Sequence, residues 1–146
     1  MGAGLVTLAC PAGLNDILEA KVTEAMTAPL PDTGARQFAA AAEDGIVALA
    51  ATRDAVGLGP GIGRARETTG LVRALVKRLD LPLAIDADGI VAFAGELALL
   101  RGRRAPTVLT PHPGEAAALL GTKPAQINAD RAGAARELAK RRRDPR

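Results

Sequence analysis

The stretch Ala55-Val-Gly-Leu-Gly-Pro-Gly-Ile-Gly63 decides how this chain folds. A short apolar run enters a loop in which every second residue is glycine, and a helix follows directly. Over residues 68–79, Leu71, Val72, Leu75, Val76 and Leu79 share one helical face, with Arg73, Lys77 and Arg78 opposite. That spacing predicts a helix packed on one side only. The apolar run at 55–58, closed by the glycine turn, predicts a short strand.

The same unit recurs in both directions. Residues 81–85 predict a strand running into Asp86-Ala-Asp88-Gly89, with a helix over 90–100. Residues 107–109 predict another, running into Thr110-Pro-His-Pro-Gly-Glu115 and a helix over 115–120 that stops at Gly121. Upstream, residues 5–9 predict a strand bounded by Gly4 and Pro11. Residues 14–25 predict a helix with Asn15 and Asp16 at its start, 29–34 a loop, and 36–51 an alanine-rich helix weakened by Gly45. A charged helix with Asn128 as its cap is predicted over 126–143. Four strands alternating with helices imply βαβ crossovers, and so an α/β fold with a parallel sheet and helices on its faces.

The chain has 146 residues, of which 48% are hydrophobic and 24% charged, as in a soluble globular domain with a real core. Its aromatics are two phenylalanines, Phe38 and Phe93, so Ala, Val, Leu and Ile must fill the interior. The net charge of +3 comes from basic runs at 101–104 and 140–146. No aromatic residue stands near either run to stack a base, which argues against a nucleic-acid partner, and the second run reads as a solvated helix end. No apolar stretch is long enough to span a bilayer, so no membrane partner is expected. Cys10 is the one cysteine, a buried or half-buried apolar residue with nothing nearby to activate its thiol. A lone thiol fits a reducing cytoplasm, and a homo-oligomer is among the states the composition admits.

In open parallel sheets ligands bind at the carboxyl ends of strands. The segments 57–63, 86–89 and 110–115 all fall there, on one edge. The glycine loop is not a Walker loop, because Gly63-Arg-Ala has no Lys-Ser or Lys-Thr, and it fails the GxGxxG spacing at the last glycine. Its bare amides at a helix start suit an anionic ligand; a tight turn without a ligand fits the pattern equally. Asp86 and Asp88, two residues apart, would share one face of an extended backbone and could hold Mg²⁺ through water or bind ligand hydroxyls. The alternative is one helix cap and one loop solvator. His112, clamped by Pro111 and Pro113, is rigidly presented to a ligand. Glu115 opens a helix, where capping and function are both open to it.

Taken together, Gly59-Pro-Gly-Ile-Gly63, Asp86-Ala-Asp88 and Leu109-Thr-Pro-His-Pro-Gly-Glu115 resemble the signature loops of the ADP/ATP-dependent NAD(P)H-hydrate dehydratase family. The resemblance runs over nearly the whole chain, from Gly2-Ala-Gly-Leu-Val-Thr-Leu to Ala129-Asp-Arg and Ala-Arg-Glu-Leu-Ala139. It implies a ribokinase-like three-layer αβα fold with a mostly parallel sheet. It also implies repair of NADHX and NADPHX, the hydrates of NADH and NADPH, with ADP or ATP as phosphoryl donor and Mg²⁺. Phosphorylation of the C6 hydroxyl makes it a good leaving group, and the ring nitrogen lone pair helps expel the phosphate. The residues placed on the substrate by resemblance are Gly61, Gly63, His112, Pro113, Gly114 and Glu115; Asp86 and Asp88 remain, from their spacing alone, candidate acids on the Mg²⁺ and phosphate side.

The chain departs from the family pattern at both ends. The family has a helix before the first strand, and it continues to a lysine-glycine turn and a GTGD-like motif whose aspartate is the expected catalytic base. Here Lys140-Arg-Arg-Arg-Asp-Pro-Arg146 stands at the entry to that part. The expectation is a partial domain over 1–146, with no catalytic residue of its own and weak or absent activity alone, whether from a frameshift, an early stop or an incomplete gene. The alternatives are a ribokinase-like small-molecule kinase, against which the LTPHPGE segment argues, and a non-catalytic nucleotide-binding remnant.

Overall fold

A computed structural model describes residues 2–143. Its order is β1 (Thr7–Pro11), α1 (Asn15–Lys21), β2 (Met26–Leu30), α2 (Glu43–Ala50), β3 (Val56–Leu58) and α3 (Arg66–Arg78). Then come β4 (Leu83–Ile85), α4 (Asp88–Val91), β5 (Thr107–Leu109), α5 (Pro113–Leu120), α6 (Pro124–Ala129) and α7 (Arg131–Arg143). Among the described residues the named strands all pair in parallel. β1 pairs with β2, while β3, β4 and β5 form a second sheet in chain order, with Val56 beside Leu83 and Leu83 beside Thr107. The α/β class and the parallel pairing are as expected.

The interior is aliphatic. Leu71, Val72, Leu75 and Val76 of α3 are buried, as their spacing predicts, together with Leu83 and Ile85 of β4 and the aromatic Phe93. Ala84, between the two inward residues of β4, is exposed, which is the two-residue alternation of a strand covered on one face. Arg78 anchors the end of α3 to the start of α2, 2.8 Å from Glu43 and 2.7 Å from Asp44.

Several elements differ from expectation, each for a tertiary reason. β1 begins two residues later than the apolar run, so Leu5 and Val6 are 76% and 50% exposed. Its limits follow its partner, because Thr7 pairs with Met26 and Pro11 with Leu30. The helix expected over 14–25 ends at Lys21, and part of the expected loop at 29–34 is strand β2. Pro29 is tolerated in β2 because Met26 donates to the Val6 carbonyl, so every second amide faces β1 and the missing Pro29 amide faces away.

The helix expected over 36–51 is confined to α2, after a 3₁₀ turn at Ala40–Ala42. Arg36 lies at φ 57, Phe38 bridges back to Asp32, and the Ala40 amide donates to Glu67 of α3 at 2.7 Å. Gly45 inside α2 has a packing reason: a Cβ there would stand 2.6 Å from the Leu30 side chain.

The helix expected over 90–100 breaks at Gly95, φ 73, into α4 and a 3₁₀ turn at Leu97–Leu100. The last helix is likewise two helices. Asp130, not Asn128, starts the second, its Oδ1 accepting from the Gly133 amide at 2.7 Å. Asp130→Ala is expected to cost about 1 kcal/mol, read as a lower urea midpoint, and Asn128→Ala close to nothing; equal effects would move the cap back to Asn128. Lys140 and Arg141 are exposed, as expected for a solvated helix end; residues 144–146 of that run lie outside the described residues.

Candidate functional site

The strands β3, β4 and β5 are parallel neighbours, so the segments that leave them emerge side by side on one edge. The Asp86 turn stands in the middle, with the glycine loop on one side and the His112 segment on the other. At about 4.8 Å between strands, the outer two lie about 10 Å apart.

The glycine loop approaches its neighbour backbone to backbone. Gly59 has φ 130, and a Cβ there would fall 1.9 Å from the Asp86 carbonyl oxygen. Gly89 is the reciprocal position: a Cβ would stand 2.7 Å from the Leu58 carbonyl and 2.9 Å from the Gly59 Cα. Gly89 was not among the residues legible as part of the site. Its only signal was a glycine directly after an acidic strand end. Ile62, 9% exposed, pins the loop to the core between Gly61 at φ 69 and Gly63 at φ 94.

The two acids do not form a pair on one face. Ala87 at φ 47 turns the chain between them, and Asp88 opens α4. Its carboxylate reaches back to the glycine loop, accepting from the Gly63 amide at 3.2 Å and from Arg64 Nε at 2.6 Å. Asp88 therefore fills part of the anion role foreseen for a ligand. Asp86 is held by its backbone, its amide donating to Leu58 and its carbonyl accepting from Gly89, both at 3.0 Å. Among the described residues its carboxylate has no hydrogen-bond partner, and no three His, Cys, Asp or Glu side chains cluster as metal ligands.

Gln37 is a further residue at the site that sequence reasoning missed. Its Oε1 accepts from the Ala65 amide at 3.4 Å and the Thr68 hydroxyl at 3.2 Å, and its side chain fills the space a Cβ on Gly63 would need. These contacts span 28 and 31 residues, and nothing local in an alanine-rich stretch announces them.

The His112 segment is a capping box at the start of α5. His112 Nδ1 accepts from the amides of Gly114 at 3.0 Å and Glu115 at 3.3 Å, and Glu115 Oε2 accepts from the His112 amide at 2.8 Å. Because Nδ1 is an acceptor, the proton of the neutral ring sits on Nε2, which lies 3.2 Å from Glu115 Oε1. The imidazole is 67% exposed while the Glu115 side chain is 7% exposed. Pro113 supplies the first helical residue with φ already set, and a Cβ on Gly114 would stand 2.8 Å from the imidazole Cε1. Glu115 therefore caps the helix, and by doing so it fixes the ring.

Two other features lie apart from this edge. A cleft of about 320 Å³, lined by Leu97, Ala98, Arg101, Leu119, Leu120 and Arg141, opens at the other end of α5, about 12 Å from His112. It faces the carbonyl end of that helix, and the Arg101 and Arg141 side chains at its rim donate to backbone carbonyls. Cys10 is buried, and desolvation pushes its thiol above its ordinary pKa against a weaker pull from the Ala28 carbonyl, in keeping with an inert residue. No helix of the described chain is long and apolar enough to cross a membrane.

Comparison with known proteins gives the family and the fold. The chain is 44% identical over 139 residues to the bifunctional NAD(P)H-hydrate repair enzyme Nnr of Moorella thermoacetica, covering 95% of this chain and 26% of that protein. It is 44% identical over 143 residues to the enzyme of the same name from Salinibacter ruber, covering 96% and 26%. The chain thus spans about a quarter of the length of these relatives. A crystal structure of a ribokinase-like superfamily protein from Enterococcus faecalis superposes with a TM-score of 0.72 at 20% identity, covering 96% of this chain and 45% of that one. The fold is ribokinase-like. Residues 1–143 match the family model described as NAD(P)H-hydrate dehydratase, and the chain belongs to that family.

Proposed function

We propose that this chain forms the substrate-side wall of a cytoplasmic enzyme that dehydrates NADHX and NADPHX, with ADP or ATP as phosphoryl donor. The observation that carries this reading is the convergence of three differently equipped loops on one sheet edge, in a chain of this family. ADP or ATP would convert the C6 hydroxyl of the hydrate into a phosphate ester that leaves readily.

The chain's own residues bind and orient. The glycine loop brings backbone at Gly61 and Gly63 within reach of a dinucleotide, and Asp88 with Arg64 keeps that loop in shape. His112 presents its exposed imidazole to the substrate, with Pro113, Gly114 and the buried Glu115 holding the ring still. The described residues build no Mg²⁺ cage. Asp86 is the acid of the pair with an open carboxylate, and Mg²⁺, which binds through one or two carboxylates plus phosphates, would come in with the donor.

Titration calorimetry with NADHX tests the reading. His112→Asn keeps an acceptor at the cap and so preserves the start of α5. It is expected to weaken NADHX binding at least tenfold with Tm unchanged. Binding equal to that of the unaltered chain would leave His112 as a cap alone and defeat the site assignment.

A further inference from the structure

The two basic runs that carry the net charge are far apart in sequence, and the fold brings them together. Arg101 Nε donates to the Arg141 carbonyl at 3.2 Å, across 40 residues. Arg141 turns back over the end of α5, with one terminal nitrogen donating to the Leu120 carbonyl at 3.3 Å and Nε lying 2.7 Å from Glu137. Those bonds use two of its five N–H donors and fix the guanidinium at the rim of the 320 Å³ cleft. Lys140, exposed, adds a third cation. Against these stand Glu137, already held by Arg141, and Glu96 beside Gly95, so this face is net positive. The floor between the cations is apolar: Leu97 and Leu119 are 8% and 5% exposed, and the exposed Ala98 and Ala118 line it from two different elements. Ala118 and Leu119 also lie in the last turn of α5, where carbonyls run out of intrahelical amides.

These three chemistries select one class of partner. An apolar floor takes an aliphatic side chain, a rim of guanidinium groups takes carboxylates, and helix-end carbonyls take N–H groups. We propose that the cleft docks an acidic polypeptide segment of a partner protein. An aliphatic side chain rests on Leu97 and Leu119, the flanking carboxylates meet Arg101 and Arg141, and backbone amides meet the end of α5. Charge complementarity speeds and orients such docking, while the buried aliphatic anchor holds it. A nucleic-acid strand would satisfy the arginines alone. Its bases find no aromatic ring here, and its phosphates would face the negative end of the α5 dipole. The cleft lies away from the His112 edge, so the proposal is independent of the dehydratase reading.

Fluorescence anisotropy tests this with the full chain and a labelled peptide of glutamates around one central leucine. Binding is expected in the micromolar range at low salt and should weaken as salt screens the arginines. It should fall at least tenfold when the leucine of the peptide is replaced by glycine, because the anchor is lost. Ala118→Glu puts bulk and a carboxylate on one wall of the cleft, and Ala98→Glu does so from the other element. Each is expected to weaken peptide binding at least tenfold with the Tm of the chain unchanged, as at other exposed sites. No binding of the peptide, equal binding of its glycine form, or binding by both variants equal to that of the unaltered chain would overturn the proposal. So would tighter binding of an oligothymidylate or of phosphatidylglycerol vesicles, which would make this face a general polyanion surface.

Discussion

Gly59→Ala should lower stability by about 4 kcal/mol, at the extreme of single substitutions, and with a total of about 5–15 kcal/mol available it should abolish a cooperative transition or nearly so. Two costs combine. The residue sits at φ 130, which alanine does not adopt without strain, and its Cβ would fall 1.9 Å from the Asp86 carbonyl oxygen and 2.8 Å from the Gly89 amide nitrogen. Those are backbone atoms already engaged with each other and with Leu58, so the turn after β4 cannot swing aside as a side chain could. Relief would require parting β4 from β3 and with it two of the three site loops. Gly61→Ala is the control. Its φ of 69 carries the left-handed strain of about 1 kcal/mol, but nothing lies within 4 Å of the added Cβ. Urea melts followed by far-ultraviolet circular dichroism should separate the two variants widely, and closely similar midpoints would refute the close approach of the two turns.

The second large effect is expected at Arg103, a half-buried residue remote from the site. Its guanidinium donates to the carbonyls of Val76, Leu79 and Leu81, the last at 2.8 Å, and to the Thr107 hydroxyl at 2.9 Å. Val76 and Leu79 carry carbonyls at the end of α3, where the helix has no amides left to satisfy them. Leu81 leads into β4 and Thr107 begins β5, so one side chain joins a helix end to two strands. Arg103→Ala leaves these acceptors without their charged donor. At about 1.5–3 kcal/mol for each bond to a charged group, discounted because water reaches a half-buried site, a loss of about 3 kcal/mol follows. Arg103→Lys should recover only part of it, since one ammonium cannot span a fork of acceptors. Full recovery by lysine in the same urea melts would show that charge, not fork geometry, supplies the stability.

Much of the site was legible because its signals are local. The strand at 107–109 and the glycine at 121 each declare themselves within a few residues, and the structure places them as expected. The placing of the glycine, aspartate and histidine loops on one edge also followed, since strands that alternate with helices pair in parallel and send their carboxyl ends the same way. The geometry of the acids did not follow. An extended backbone would set Asp86 and Asp88 on one face, but Ala87 at φ 47 parts them, and that conformation is imposed by Gly59 and Gly89 packing against each other 30 residues apart. Gln37 escaped for the same reason, because its partners lie at and just before the start of α3.

Residue order by itself determined the parallel α/β class, the amphipathic face of α3, the helix that starts beyond His112 and the family, all of which rest on periodicity and short motifs. Tertiary structure alone decided where β1 begins, that residues 26–30 are a strand despite Pro29, that Asp88 turns to the glycine loop, and that one face of the sheet stands open. The physical reason is common to these cases. Each depends on what lies across the sheet or across the core, and a chain's local preferences are weaker than the hydrogen bonds and burial that a distant partner supplies.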